Sequence, residues 1–197
     1  MTKLLIATNN AHKVEEYQEI LADLPFTLTT PKAEGLDLDP DETGTTFVEN
    51  AIIKAEAFAQ ASGLLTLADD SGLEIDALNG EPGVFSARYG QTAKHDHEAR
   101  YQLVLTKMAH CEWPHRTARF RCVIAITTPN QLVGTVDGAV EGFITFAPQG
   151  KGGFGYDPVF YVPEFECTMA ELTSAQKHSI SHRGLAARQA VNLLAEL

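Results

Sequence analysis

The hydrophobic and polar positions of the chain change period several times, and each change marks a new element. Lys3 to Thr8 is a short apolar run of the kind that forms a buried strand, and it stops at Asn9-Asn10. From Ala11 to Leu24, the residues Val14, Tyr17, Leu21 and Leu24 recur at helical spacing, which predicts an amphipathic helix that Asn10 is suited to cap. Phe26 to Thr29 reads as a second strand, and Pro31 to Thr43 as a polar loop carrying Glu34, Asp37, Asp39, Asp41 and Glu42. Thr46 and Glu49 form a capping box ahead of the apolar stripe Phe47, Ala51, Ala55 and Phe58, which runs to a natural stop at Gly63. Leu64 to Ala68 then predicts a central strand. Asp69-Asp70-Ser71-Gly72 is expected to break it, so that the acidic pair sits on a turn at a strand end before Leu73, Ile75 and Ala77 resume the alternation.

In the second half, a third helix is predicted from about His95 to His110, with Tyr101, Val104, Leu105 and Met108 inward. Ala118, Phe120, Cys122, Ile124 and Ile126 alternate with Arg119 and Arg121 in a long half-buried strand. Pro129-Asn130 marks a turn into a second long strand region, Leu132 to Phe146, where Gly134, Gly138 and Gly142 suggest bulges or bends. A glycine-rich loop from Gly150 to Asp157 leads into a strand over Val159 to Val162, and Ser181 starts a final helix through Leu185, Val191 and Leu194. With no repeat, low-complexity segment or linker, residues 1–197 read as a single elongated α/β domain. The expected architecture is a central mixed, twisted sheet flanked by helices, in two lobes. The loops at 8–13, 69–72 and 152–157 are expected to meet in a cleft between them.

Composition narrows the class of partner. The chain has 197 residues, 44% of them hydrophobic and 21% charged, which is ordinary for a globular enzyme. Fifteen Lys and Arg against 26 Asp and Glu give a net charge of −11, which argues against broad binding to nucleic acid or an anionic membrane. An anionic ligand therefore needs a local basic cluster or a metal. Cys111, Cys122 and Cys167 have no C-x-x-C spacing, so neither a disulfide framework nor a zinc site is expected. With no bilayer-length apolar run and no signal-peptide pattern, a reducing cytosol is the expected location.

Five segments carry residue types suited to chemistry, and each also has an ordinary structural reading. Thr8-Asn9-Asn10-Ala11-His12-Lys13 is either an anion-binding strand-to-helix loop, with Lys13 as a point charge, or a plain capped helix start. Asp69 and Asp70, with Glu42 or its neighbours, are either ligands for a hard cation such as Mg²⁺ or turn residues holding backbone donors. Lys54, one turn beyond Asn50, reads on spacing alone as a solvated helical lysine. In the glycine-rich loop, Phe154 and Tyr156 can stack on a planar base and Asp157 can bond its edge, or all three can belong to a tight hairpin. Lys177, His178, Ser181, His182 and Arg183 gather donors at the start of the last helix, where Ser181 can equally serve as a cap. Arg88, Lys94, Arg100, Lys107, Arg116, Arg119 and Arg121 form a basic stretch without interleaved aromatics, which reads as a solvated face or a subunit surface.

Together, several ordered segments resemble the inosine/xanthosine triphosphate pyrophosphatase family over nearly the whole chain. They are Ala7-Thr8-Asn9-Asn10 with Lys13, Glu42-Thr43-Gly44, Thr46 to Ala51 with Lys54-Ala55, Ala68 to Leu73, Gly83 to Tyr89, Gly152 to Pro158 and Ser181 to Gly184. The resemblance implies hydrolysis of deaminated purine nucleoside triphosphates (ITP, dITP, XTP) to monophosphate and pyrophosphate. It further implies substrate contacts from Thr8, Asn9, Asn10, Ala11, His12, Lys13, Ser71, Phe154, Gly155, Tyr156, Asp157, Lys177, His182 and Arg183, with His182 and Arg183 reading the base. Mg²⁺ is implied on Glu42 and Asp70, with Asp70 as the base for water, Lys54 assisting catalysis by screening charge, and a homodimer. Many members carry glycine where this chain has Asn9, and often glycine or lysine at His12. Two other functions fit parts of the pattern: a regulatory module that binds a nucleotide without turnover, and a pyrophosphatase for modified pyrimidine triphosphates.

Overall fold

The computed structural model describes residues 2–92 and 96–196. Lys94 and His95, which belong to the basic stretch and to the predicted start of the third helix, lie outside the described residues. The chain is of the α/β class, with strands β1 (Thr2–Ile6), β2 (Phe26–Thr29), β3 (Leu65–Ile75), β4 (Thr117–Thr128), β5 (Gln131–Ile144), β6 (Phe160–Val162) and β7 (Cys167–Thr168). Its α-helices are α1 (Ala11–Ile20), α2 (Phe47–Ser62), α3 (His97–Lys107), α4 (Ser174–Ile180) and α5 (His182–Ala195). The strands join in the order β2-β1-β3-β4-β5-β6-β7. β1 runs parallel to β2 and β3, whereas β6 runs antiparallel to β5 and β7, so the sheet is mixed as expected.

The chain divides into two compact units. The first comprises Met1–Asp70, Cys122–Gly138 and His182–Leu197. Its core joins Leu4 and Ile6 of β1, Tyr17 and Leu21, Leu67 of β3 and Cys122, Ile124 and Ile126 of β4 to Ala186, Ala187, Ala190 and Leu194 of α5. Both predicted caps form. Asn10 Oδ1 accepts from the His12 amide at α1, and Thr46 and Glu49 close the capping box of α2, whose last turn ends at Gly63 in the left-handed region.

The second unit comprises Ser71–Arg121 and Ala139–Ser181. It packs Leu73 and Ile75 of β3, Val104 and Met108 near α3, Phe120 of β4, Ile144 of β5 and Phe160 and Val162 of β6 around Tyr89, Tyr156 and Met169. Of the basic stretch, Arg100 and Arg116 are buried in this unit rather than solvated. Arg116 donates to the carbonyl oxygens of Met108, Cys111, Ile144 and Thr145, so its charge collects backbone acceptors both just after α3 and at the end of β5.

Three local expectations are corrected. Asp69 to Gly72 do not break the third strand: β3 continues from Leu65 to Ile75, and both aspartates are buried. Their polarity suggested a turn, but cations hold the carboxylates in place, as described below, and the extended backbone is kept. Two glycines of β5 also mark close approaches. A Cβ at Gly138 would collide with the His182 carbonyl and Ala186 amide of α5, and one at Gly142 would collide with the Tyr161 carbonyl. Lys177 and His178 sit on their own short helix, α4, which Thr173 caps, and α5 starts afresh at His182. Finally, α1 ends at Ile20, short of the predicted Leu24.

Candidate active site

In the first unit, the pleat of β3 sends successive side chains to opposite faces, so adjacent aspartates meet different helices. Asp69 turns toward α1 and α5. Its Oδ2 accepts from Lys13 Nζ at 2.8 Å, from an Arg183 terminal nitrogen at 3.4 Å and from the Cys122 thiol at 3.7 Å. Arg183 also donates to Glu16 Oε2 at 2.6 Å, and its guanidinium lies 5.9 Å from the Tyr17 ring centroid. Burial alone would raise the Asp69 carboxyl, but Lys13, Arg183 and Lys54 outweigh it and hold the group well below the ordinary carboxylate range. The same burial, with Asp69 nearby, pushes the Cys122 thiol up to about 12, so it remains a protonated donor.

Asp70 turns toward α2. Asn50 Nδ2 donates to its Oδ2 at 3.1 Å, and Lys54 Nζ to its Oδ1 at 3.3 Å. Lys54 also pairs with Glu42 Oε1 at 3.1 Å, so one ammonium joins the two carboxylates implied as metal ligands. This lysine is not solvated, as helical spacing had suggested. Burial would lower it, but Asp70, Asp69 and Glu42 reverse that effect and raise it, which keeps it charged. Asp70 moves opposite to Asp69: burial raises it, Lys54 and Lys13 oppose the rise, and Glu42 adds to it. Two neighbouring carboxylates are thus pushed apart by their surroundings.

The 8–13 segment is ordered by its own side chains. The Asn10 amide bonds Thr8 Oγ1 at 3.2 Å, Asn10 Oδ1 caps α1, and Asn9 Nδ2 donates to the Leu38 carbonyl at 3.0 Å. Ala11 and His12 open the helix, and Lys13 reaches Asp69.

The second unit holds a separate cluster. Asp157 Oδ2 accepts from the Phe154 amide and from Lys177 Nζ, each at 2.8 Å, and both charged groups are buried. The Lys177 ammonium lies 4.9 Å from the Phe154 ring centroid, and His97 meets that ring edge-on at 6.3 Å. Gly153 and Gly155 have positive φ, and a Cβ at Gly153 would strike the Asp157 carboxylate, so the turn needs glycine there. Tyr156 is a core residue. Its hydroxyl donates to the Ser86 carbonyl at 2.8 Å, which leaves Phe154 as the loop aromatic suited to a planar ligand. Ser71 is half-buried on β3, next to Asp70 in sequence.

Asn50, Glu16, Tyr17 and Cys122 join these clusters without having been singled out from sequence. The signal for Asn50 was present: the capping box fixes the first turn of α2, and Asn50 and Lys54, four residues apart, must share a face.

Among the described residues, no group of three or more His, Cys, Asp or Glu side chains gathers as a dedicated metal cage. Glu42 and Asp70 nevertheless suit Mg²⁺, a hard cation that commonly takes one or two carboxylates and completes its shell with water and substrate phosphates.

A sequence model described as the Ham1 family matches residues 4–193. The chain belongs to the Ham1 family. It is 47% identical over 194 residues to a dITP/XTP pyrophosphatase from Bacillus subtilis, covering 98% of each chain. It is 50% identical over 186 residues to a dITP/XTP pyrophosphatase from Thermus thermophilus, covering 94% of this chain and 88% of that one. Among solved structures, it is similar to a HAM1 protein from Coxiella burnetii with a TM-score of 0.89 and 45% identity, each chain covered in full at 100%.

Proposed function

We propose that the protein hydrolyses deaminated purine nucleoside triphosphates, ITP, dITP and XTP, to the monophosphate and pyrophosphate. The observation that carries this reading is Asp70, held by Asn50 and Lys54 with Glu42 on the same ammonium, in a chain so similar to dITP/XTP pyrophosphatases. Asp70 accepts the proton of a water that attacks the α-phosphorus, the new P–O bond forms, and the bond to pyrophosphate breaks. Glu42 and Asp70 hold Mg²⁺. When bound, that ion acidifies water and offsets phosphate charge. Lys54 and Lys13 supply further positive charge, with Lys54 fixed at the reacting carboxylate and Lys13 anchored on Asp69.

Thr8, Asn9, Asn10, Ala11, His12 and Lys13 bind substrate as a helix-start loop, with Ser71, Gly155, Asp157 and Lys177 as further contacts and Phe154 stacking on the base. His182 and Arg183 recognise the 6-oxo group, toward which a guanidinium can only donate. The functional form is a homodimer working in the cytosol as a single pyrophosphatase domain.

Pyrophosphate release from ITP, XTP, GTP, ATP and UTP, with and without Mg²⁺, tests the reading. Fast, Mg²⁺-dependent release from ITP and XTP with slow release from ATP and UTP is expected. Equal rates on ATP, or preference for UTP, would sink it. Sedimentation equilibrium at micromolar protein tests the dimer.

A further inference from the structure

The motif residue with no assigned chemistry is the most tightly enclosed polar side chain of the Asp70 cluster. Asn50 is fully buried, yet both ends of its amide are engaged. Its Nδ2 donates to Asp70 Oδ2 at 3.1 Å, and its Oδ1 accepts from the Gly44 amide at 2.8 Å. Because the Gly44 atom that meets the amide is an N–H donor and a carboxylate offers only acceptors, these neighbours fix the orientation of the amide. One turn along α2, Lys54 makes the corresponding pair of contacts, to the other oxygen of Asp70 and to Glu42. Together the two side chains grip Asp70 by both oxygens and hold the 42–44 segment at two points.

A second observation shows that this segment is seated on the amide. A Cβ built on Gly44 would stand 2.6 Å from Asn50 Oδ1 and 2.6 Å from Glu49 Cβ, closer than atoms pack. Only glycine lets the backbone reach Asn50. The capping box at Thr46 and Glu49 fixes where α2 starts, and therefore where Asn50 stands relative to Gly44.

We infer that Asn50 is a positioning residue that sets the spacing and orientation of the Asp70 and Glu42 carboxylates, and so determines how well they bind a divalent cation. It acts only through these two carboxylates. Lys54, by contrast, lends charge as well as position. The inference rests on the proposed function only in taking Glu42 and Asp70 as the cation's ligands.

The test uses Asn50→Leu, which keeps the branched shape but removes both hydrogen bonds, and Gly44→Ala, which disturbs the same contact from the other side. Mn²⁺ is titrated into nucleotide-free protein and the free ion is read by electron paramagnetic resonance. Thermal unfolding without metal and the kinetics of ITP hydrolysis are measured alongside. Expected are a 10- to 100-fold weaker Mn²⁺ affinity in Asn50→Leu, the usual range for groups that orient metal ligands, and a smaller loss in Gly44→Ala. The kcat for ITP should fall while its KM changes little. Unchanged Mn²⁺ affinity in either folded variant, or no Mn²⁺ binding by any of the proteins, overturns the inference. If Asn50→Leu does not fold, Gly44→Ala decides. Wild-type protein inactive on ITP, but with Mn²⁺ binding sensitive to Asn50, would overturn the proposed function and leave the inference standing.

Discussion

The two units use buried charge differently. In the first, Asp69 and Asp70 are adjacent on one strand and are held by side chains from three helices: Lys13 of α1, Asn50 and Lys54 of α2, and Arg183 of α5. In the second, the Asp157 carboxylate accepts from Lys177 and from the backbone amide of Phe154, with an aromatic face beside them. Several cations around neighbouring carboxylates let the surroundings give each acid a different proton affinity, which suits a reaction at phosphorus. The Asp157–Lys177 pair beside the Phe154 ring holds a flat surface and a charge at a fixed distance, which suits recognition.

The sharpest way to break this contrast is Asp70→Asn, which should retain the fold yet lose about 10²- to 10⁴-fold in single-turnover ITP hydrolysis, the usual weight of general-base action. Near-normal turnover would place the base elsewhere. Next is Arg183→Ala, which removes a buried donor to Glu16 and weakens the clasp on Asp69. It should cost about 3–5 kcal/mol in denaturant unfolding, as breaking a buried ion pair does. Arg183→Lys keeps a charge for both carboxylates but loses the fork, so the ITP-over-ATP preference in kcat/KM should shrink by about 1–3 kcal/mol if the guanidinium reads the base. In the second unit, Asp157→Asn leaves Lys177 a neutral acceptor. It should weaken ITP binding by about 1–3 kcal/mol, read as KM with kcat largely kept. The smallest effect is expected at the surface, where Arg119 bridges Asp76 and Glu141 and Arg119→Ala should cost at most about 1 kcal/mol. Hydrogen bonds from Arg119 and Thr117 lower the Asp76 carboxyl. Its contribution is therefore present above the unfolded-state value and lost as pH falls through the folded one. Unfolding measured below pH 4 should find Arg119→Ala and wild type converging.

Much of this was legible in the sequence because it depended on local rules. The Asn10 cap, the Thr46–Glu49 box and the helical stripe behind it were readable from spacing, since such signals act within one or two turns. The break assigned to Asp69–Gly72 failed for the opposite reason. Whether a strand tolerates two aspartates is decided by Lys13, Lys54 and Arg183, the last of them 114 residues from Asp69. Lys54 misled in the same way: spacing shows that it shares a face with Asn50, but not that Glu42 and Asp70 wait on that face. Gly138 and Gly142 were visible as a periodic series, yet what presses against them is backbone from remote segments, which leaves no trace in their own neighbourhood.

The first unit is assembled from three separate stretches, and its core joins β1 at one end of the chain to α5 at the other. During synthesis, the ribosome releases Lys13 and Asp69 long before Arg183, and Leu4 and Ile6 long before Ala186 and Ala190. A nascent chain not yet extended through His182–Leu197 must therefore carry an unfinished core and an aspartate short of one cation. Long sequence separation between essential contacts slows folding and prolongs exposure of apolar surface. This unit's charged centre is thus completed only after α5 has been made, and chains truncated before His182 should be cleared by quality control rather than persist in partly active form.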